Sequence, residues 1–294
     1  MSGFQLAVCS EMVFTDLPII DRVRRIDEMG FAVEIWSWHD KDLKTLAETG
    51  ARFSSMTGYL HGDLIDPSSA DEVVGTAELS IKAAQTLGVP RLNLHTAELV
   101  DGKAARPRYR ATGEMWTTAL HTLERIGELG AAAGVTFCVE NLNTIVDHPG
   151  VPLARAKDTL ALIEGVGHPN VKMMLDLYHA QIGEGNLIEL VRRCGDAIGE
   201  IQVADVPGRC QPGTGEIYYP AVAKALHDMG YRGTVSLEGY AEGDDVAALE
   251  AFRAAFTVWP FSGRRACHGL TGVRATSCAT RTEDCSLAAW GHME

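Results

Sequence analysis

Short apolar runs alternate with longer amphipathic segments along the first 257 residues of the chain. The short runs are rich in β-branched residues and predict strands, whereas the longer segments repeat apolar residues at the i, i+3, i+4 spacing of helices. The predicted strands are 5–9, 32–36, 52–56, 91–94, 136–140, 171–176, 200–203 and 234–238. The predicted helices lie near 17–29, 40–49, 70–87, 115–133, 153–166, 186–194, 219–229 and 246–257.

Glycine follows directly on six of the predicted helices, where a left-handed C-cap favours it. These glycines are Gly30, Gly50, Gly88, Gly134, Gly167 and Gly230. Eight strand–helix units in strict alternation predict a single-domain (β/α)8 barrel over residues 1–258. A doubly wound open sheet shows the same alternation, so the pattern of elements alone leaves that fold open.

Four polar residues, Glu140, Asp176, Gln202 and Glu238, each come at or near the end of an apolar run, and 36, 26 and 36 residues separate them. Three carboxylates and an amide at successive strand ends indicate a divalent cation in oxygen ligands, which suit Mg2+ or Mn2+. Around a closed barrel these strand ends surround one axial pocket. In an open sheet they form a line about 15 Å long, too long for one ion. The ligand pattern therefore favours the barrel.

Glu140 and Glu238 have a second predicted role, because two carboxylates on opposite walls of a metal pocket can transfer a proton. One removes a proton from a substrate carbon, and the other supplies a proton to the neighbouring carbon. The alternative is a pair of strand-terminal carboxylates satisfied by helix N-termini or by a buried arginine. No nucleophile elbow, P-loop, dinucleotide fingerprint or HExxH motif occurs, so those enzyme classes lack their usual motif.

Two further residues are predicted to contact substrate from loops above the pocket. His179 follows Asp176 by three residues, within reach of substrate oxygens or Glu140. Arg209 lies on a Pro/Gly-rich loop after Gln202, where a guanidinium offers a bidentate fork to a carboxylate. An exposed loop position is the alternative for both. His61 and His95 are also predicted to line the pocket wall and bind substrate. Trp36 is a further candidate for the wall, and Glu216 is a candidate for its surroundings.

The net charge of −13 argues against a nucleic-acid partner, which needs clustered Lys and Arg, and against an anionic membrane surface. A small anionic substrate is compatible with this charge, because a metal ion and one arginine can override the global field locally. No apolar run approaches the roughly 20 residues of a membrane span, and the amino terminus has no secretory signal pattern. Seven cysteines without a spaced pattern fit reduced thiols and predict a cytoplasmic location. Assembly into a homo-oligomer is left open.

Residues 259–294 lack a periodic apolar face and are predicted to form an irregular or disordered tail outside the barrel. This segment holds three of the seven cysteines. The alternative is a metal site made of Cys267, His268, Cys278 and Cys285, but no paired C-x2-C spacing supports it.

The stretches "VENLN", "LDLYHAQ", "IQVADVPGR", "PGTGEIYYPAV" and "LEGY" resemble the hydroxypyruvate isomerase family within the xylose-isomerase-like TIM barrels. The resemblance covers roughly residues 3–257 and is sharpest from 137 to 240. It implies that the metal is held by Glu140, Asp176, Gln202 and Glu238. It also implies that the two glutamates transfer the proton and that His179 and Arg209 contact the substrate.

The function that the resemblance implies is a metal-dependent, aldose–ketose type isomerisation of hydroxypyruvate and tartronate semialdehyde, or of a similar short 2-oxo acid. Ketose 3-epimerases share the architecture but place histidine where Gln202 stands, and endonuclease IV uses a histidine-rich cluster of three metals. Gln202 therefore favours the isomerase branch. A non-catalytic barrel acting as a binding protein or subunit is an alternative of another class, against which the intact carboxylate set argues.

Overall fold

A computed structural model of the chain describes residues 3–257, and within them a closed barrel of eight parallel strands. The strands of this part of the chain are Gln5–Cys9 (β1), Ala32–Ile35 (β2), Phe53–Thr57 (β3), Arg91–Leu94 (β4), Leu99–Val100 (β5), Lys103–Ala104 (β6), Thr136–Glu140 (β7), Val171–Asp176 (β8), Ile198–Val203 (β9) and Thr234–Leu237 (β10). β5 and β6 form a separate antiparallel hairpin, and β10 closes the barrel on β1. The predicted barrel is confirmed, and the open-sheet alternative is wrong.

The helices pack on the outside of the barrel and cover its apolar face. In the described residues they are Ile19–Glu28 (α1), Leu43–Glu48 (α2), Ala70–Leu87 (α3), Gly113–Ala133 (α4), Ala156–Val166 (α5), Leu177–Gly183 (α6), Leu187–Cys194 (α7), Tyr219–Asp228 (α8) and Asp245–Ala255 (α9). Gly88 and Gly134 end α3 and α4 with φ angles of 70° and 71°, in the left-handed conformation that glycine adopts without strain. These predicted helix-to-strand junctions are confirmed.

Helix α6 was not predicted, and it corrects the position of His179. The helix begins directly after β8, and the Oδ1 atom of Asp176 caps it by accepting the backbone N–H of His179 at 2.8 Å. His179 therefore lies in the first turn of a helix, and the prediction of a loop is wrong. Seven residues are too few to show a helical period, so the apolar pattern gave no sign of this helix.

A polar network fills the barrel interior below the strand ends. Glu200 lies two residues before Gln202 on β9, so both side chains point to the same face of the strand. Glu200 is fully buried, forms an ion pair with Arg91 and accepts a hydrogen bond from Ser55 Oγ at 3.1 Å. Arg91 also donates to Thr234 Oγ1 at 2.7 Å. The network thus ties β3, β4, β9 and β10 together across the barrel.

The tail predicted for residues 259–294 lies outside the described residues, and so does the alternative metal site within it. Both therefore stay predictions. Between residues 3 and 257, no helix is both long enough and apolar enough to cross a bilayer.

We expect Glu200→Ala to lower the free energy of unfolding by about 3 kcal/mol, because it leaves the largely buried Arg91 guanidinium, whose side chain is 18% exposed, without its carboxylate. Glu200→Gln retains an acceptor for Arg91 and should cost less. Urea denaturation followed by circular dichroism measures both changes. An alanine variant as stable as the parent would show that the pair contributes nothing to the barrel.

Candidate active site

The four residues predicted as metal ligands meet at the carboxyl end of the barrel. Glu140 and Asp176 end β7 and β8, Gln202 is the penultimate residue of β9, and Glu238 directly follows β10. Asp176 and Gln202 are register partners on neighbouring strands. All four residues are at most 5% exposed. A buried carboxylate is costly unless it is paired or binds a metal, so the neighbours of these groups decide their chemistry.

Glu140 is held by donors from β4 and the loop after it. Asn93 donates from its Nδ2 atom to Glu140 Oε2, and His95 Nε2 lies 3.1 Å from the same oxygen. Tyr59 bonds the other ring nitrogen of His95 at 2.9 Å and so fixes the imidazole. Burial alone would raise the pKa of Glu140, but the hydrogen bond and charge of His95, with the bond from Asn93, lower it below the ordinary value.

Glu238 is held by donors from two other loops. Trp36 Nε1 donates to its Oε1 atom at 2.6 Å, and Arg209 Nη2 donates to its Oε2 atom at 2.7 Å. Burial raises the pKa of Glu238 and the charge of Glu140 adds to this effect, while Arg209 opposes it. The two glutamates therefore differ in the direction of their pKa shifts and in the loops that hold them.

Asp176 has a carboxylate oxygen left without a partner. Its Oδ1 atom caps α6, whereas Oδ2 accepts no hydrogen bond within residues 3–257. Arg209 Nη2 lies 4.0 Å and His179 Nε2 lies 3.8 Å from this oxygen. Burial and the charge of Glu238 raise the pKa of Asp176 well above its ordinary value.

Gln202 presents an amide oxygen that likewise lacks a partner in the described part of the chain. Its Nε2 atom donates to Glu34 Oε1 at 2.6 Å, which directs the amide oxygen away from Glu34. Glu34 is itself buried, and burial together with the charge of Glu238 raises its pKa well above the ordinary value. Glu34 thus orients the Gln202 amide through this hydrogen bond.

The arrangement fits a hard divalent cation. Asp176 Oδ2 and Gln202 Oε1 are buried oxygens on adjacent strands, and neither has a hydrogen-bond partner within residues 3–257. A cation between them would give both oxygens a partner and reduce the repulsion of Glu140 and Glu238 on Asp176. Carboxylate and amide oxygens are the ligands that Mg2+ and Mn2+ prefer.

The described residues contain two groups of three side chains whose potential ligand atoms lie within 4.8 Å of one another inside each group. They are Glu140, Asp176 and His179 in the first group, and Cys9, Glu34 and Glu238 in the second. Burial raises the pKa of the Cys9 thiol well above its ordinary value, and thiols bind metals as thiolates, so Cys9 is a poor ligand at neutral pH. Arg209 Nη2 links the two groups, because it lies near both Glu238 and Asp176.

Arg209 lies on the loop after β9, but its side chain contacts the protein's own carboxylates. Besides its bond to the Glu238 side chain, Nε donates to the Glu238 carbonyl at 3.4 Å, and the guanidinium lies 5.0 Å from the centre of the Tyr178 ring. Burial opposes its charged form, yet the charges of Glu238 and Asp176 raise the pKa of Arg209. Within residues 3–257, its Nη1 group donates to no protein acceptor, so part of the predicted fork is free. The exposed-loop alternative is wrong.

His179 is fully buried, with Nε2 3.7 Å from Glu140 Oε1. Its predicted proximity to Glu140 is confirmed, and the exposed-loop alternative is again wrong. Burial, and then the charge of Arg209, lower the pKa of His179 well below its ordinary value. The imidazole is therefore neutral at physiological pH.

The remaining candidates divide into two that join the site and two that do not. His95 and Trp36 bond the two glutamates directly, as described above. His61 bonds Glu98 at 3.1 Å, next to Arg106, and the described residues show no hydrogen bond from it to the strand-end carboxylates. Glu216 accepts a bond from Gln181 at 3.0 Å on the exposed surface. These contacts give no support to the substrate role predicted for His61.

Several polar residues of the site were not predicted from the sequence. Glu34 is the penultimate residue of β2, and it was not predicted because the strand was expected to continue through Trp36. Asn93 alternates with Leu92 and Leu94 on β4, and this period-2 pattern was the available signal that its side chain points into the barrel. Asn143, discussed below, carried no signal beyond its position in "VENLN".

The chain matches the family model described as xylose isomerase-like TIM barrel over residues 23–257, and it belongs to that family. The putative hydroxypyruvate isomerase of Homo sapiens is 32% identical over 178 residues, which are 60% of this chain and 63% of the human protein. The 2-oxo-tetronate isomerase of Cupriavidus necator is 35% identical over 172 residues, which are 58% of this chain and 63% of that protein. The matched region thus spans less than two thirds of the length of either relative. The family resemblance read from the motifs is confirmed.

Among solved structures, the chain is similar to the crystal structure of an AP endonuclease, family 2, from Brucella melitensis. The TM-score is 0.75 and the sequence identity 26%, and the match covers 86% of this chain and 99% of the other. This likeness extends over the whole barrel and agrees with the family assignment.

We expect Asp176→Asn to stabilise the metal-free protein at pH 8, because the raised pKa of Asp176 means that ionisation of this carboxyl opposes folding. The stability linked to the protonated form is present below the unfolded pKa of about 4 and is lost as pH rises through the folded pKa. The Tm measured with EDTA should rise by about 2–4 °C, the shift for 1 kcal/mol in a domain of this size. Asparagine can still cap α6.

The same pair of proteins at pH 5 is the control, since the difference in Tm should shrink there. A variant that is less stable than the parent at pH 8, in the presence of EDTA, would contradict the unfavourable burial of Asp176.

Proposed function

We propose that this protein is a metal-dependent isomerase that interconverts hydroxypyruvate and tartronate semialdehyde, or acts on a similar short 2-oxo acid such as 2-oxo-tetronate. The observation that carries the proposal is the pair of buried glutamates, Glu140 and Glu238, at the ends of strands to either side of Asp176, whose Oδ2 atom has no hydrogen-bond partner within residues 3–257. The names of the two isomerase relatives support the same reaction class.

The reaction moves one proton between neighbouring carbons. One glutamate removes a proton from C3 of hydroxypyruvate, and the other returns a proton at C2, while the hydroxyl proton passes from the C3 oxygen to the C2 oxygen. Glu140 is fixed by Asn93 and His95, and Glu238 by Trp36, so both carboxylates keep their positions without the substrate. A divalent cation held by Glu140, Asp176, Gln202 and Glu238 would polarise the two substrate oxygens and acidify the C–H bond.

The substrate carboxylate needs a cationic partner in a pocket that already contains three carboxylates. Arg209 is that partner in our proposal, because its Nη1 group donates to no acceptor within residues 3–257 and its guanidinium is already beside Glu238. Planar guanidinium groups bind carboxylates with two parallel hydrogen bonds. An anionic 2-oxo acid would then be oriented with its reacting carbons between the two glutamates.

The first test is proton transfer itself, followed by NMR with hydroxypyruvate in D2O. We expect activity that disappears after EDTA treatment and returns with Mg2+ or Mn2+. In Glu238→Gln, kcat should fall by at least about 100-fold, because glutamine remains an oxygen ligand but cannot carry the proton. Glu242→Gln, at an exposed position four residues further on, is the matched control and should retain the parental rate.

Two results would count against the proposal: full activity with no metal measurable in the protein, or normal turnover by Glu238→Gln. Best activity on a five- or six-carbon ketose, with inversion at C3, would identify an epimerase instead.

The second test concerns the substrate carboxylate. In Arg209→Ala, the ratio of kcat/KM for hydroxypyruvate to that for dihydroxyacetone should fall by at least about 30-fold, equivalent to ~2 kcal/mol of lost charge pairing. Dihydroxyacetone has the same carbon chain without the carboxylate, so general damage to Glu238 lowers both rates and leaves the ratio unchanged. An unchanged ratio would therefore exclude Arg209 as the carboxylate partner.

A further inference from the structure

The side chain of Asn143 has only one orientation that satisfies its surroundings. Its Oδ1 atom accepts the backbone N–H groups of Val146 at 2.9 Å and Asp147 at 3.1 Å, within the loop that follows β7. His148 closes the same loop by donating its backbone N–H to the Asn143 carbonyl at 3.0 Å. Two donors on one side fix the oxygen, so the Nδ2 group must point the other way.

The Nδ2 group of Asn143 faces His179. It lies 2.7 Å from His179 Nδ1, and it also donates to the Asp147 carboxylate. An amide N–H can bond an imidazole nitrogen only through the lone pair of that nitrogen, so Nδ1 of His179 carries no proton. In a neutral imidazole the proton must then be on Nε2.

The Nε2 atom of His179 faces the site. It lies 3.7 Å from Glu140 Oε1 and 3.8 Å from Asp176 Oδ2, and it has no hydrogen-bond partner within residues 3–257. Both Asn143 and His179 are 1% exposed, so water does not readily replace these contacts. A buried N–H group directed at the substrate position lacks an acceptor, and a substrate carbonyl or hydroxyl oxygen supplies one.

We propose that Asn143 is a positioning residue that holds His179 as the Nε2–H tautomer, so that His179 donates a hydrogen bond to a substrate oxygen and does not bind the metal. For His179 to bind a metal through Nε2, its proton would have to move to Nδ1, against the Asn143 N–H group. Turning the Asn143 amide to accept that proton would break both backbone hydrogen bonds to Oδ1. The part of this proposal that concerns substrate rests on the proposed function, whereas the tautomer does not.

The tautomer is measured by NMR on protein labelled with 15N-histidine, in EDTA and without substrate. The chain has ten histidines, and the spectrum of His179→Gln assigns the signal of His179. We expect the parental protein to show a protonated Nε2 and an unprotonated Nδ1. In Asn143→Asp, a carboxylate acceptor replaces the amide donor, and the proton should appear on Nδ1. A parental Nδ1–H form, or an Asn143→Asp variant that keeps the parental tautomer, would overturn the proposal.

Asn143→Ala covers the case in which the aspartate variant does not fold, and it should give a mixture of both tautomers because nothing then fixes Nδ1. Circular dichroism checks the fold of each variant. A purely structural role for Asn143 would change the Tm but leave the imidazole in its parental tautomer.

Titration with Mn2+ alone separates a donor from a ligand. His179→Gln should change the Kd for Mn2+ by less than about threefold, whereas Asp176→Asn should raise it by at least about tenfold. Equal losses in the two variants would overturn the donor assignment. In the isomerase assay, Asn143→Asp should lower kcat/KM by about 10- to 100-fold with the Kd for Mn2+ retained. If the parental protein has no isomerase activity, the proposed function fails, while the NMR and Mn2+ results still decide the role of Asn143.

Discussion

The closed barrel brings the carboxylates of Glu140, Asp176 and Glu238 into one buried pocket, where the Arg209 guanidinium lies beside Glu238 and Asp176. Like charges at short distance repel strongly when water is excluded, so burying these carboxylates together lowers the free energy of unfolding. The cost is visible in the raised pKa values of Asp176 and Glu238. A site with this excess of negative charge is suited to hold a cation, and the Asp176 and Gln202 oxygens that have no partner in the described part of the chain mark where it fits.

The groups that stabilise the barrel and the groups of the candidate site lie at successive levels along the same strands. On β9, Glu200 joins the ion pair with Arg91 inside the barrel, and Gln202, two residues later, faces the pocket. The lower pair is closed, because each charge has a partner, Ser55 also donates to Glu200, and Arg91 also donates to Thr234. In the pocket above it, Asp176 Oδ2 and Gln202 Oε1 have no hydrogen-bond partner within residues 3–257. The barrel tolerates these oxygens because the ion pair below them holds the strands together.

Much of this architecture could be read from the sequence, because it follows from periodicity. Strand and helix positions, the glycine junctions and the four strand-end residues all depend on patterns a few residues long, and parallel strands bring their carboxyl ends together. The parts that escaped depend on contacts between distant segments. Helix α6 is stabilised by the Asp176 cap, and the hairpin of β5 and β6 has strands of only two residues. The Arg209 side chain forms a hydrogen bond with Glu238, which lies on a different loop.

The hydrogen-bond partners of the polar groups could not be predicted from the sequence either. Trp36 and Glu238 are 202 residues apart, and Gln202 and Glu34 are 168 apart, so no local pattern links them. His61 shows the opposite error: it follows a barrel strand like His95, yet its side chain bonds Glu98. Position after a strand limits which residues can reach the pocket, but the course of the following loop decides which do.

The amide at position 202 also follows from the charge in the pocket. A carboxylate there would lie beside Glu34 as well as Asp176, adding another negative group to a cluster in which burial already raises pKa values. Gln202 avoids this repulsion and supplies two functions at once, since its N–H group donates to Glu34 Oε1 while its oxygen is presented to the pocket. A histidine could offer a nitrogen to a metal, but it would have to keep its other ring N–H aimed at Glu34 from a shorter side chain. The residue pair Glu34 and Gln202 is therefore best understood as one unit, in which the buried acid determines which end of the amide faces the pocket.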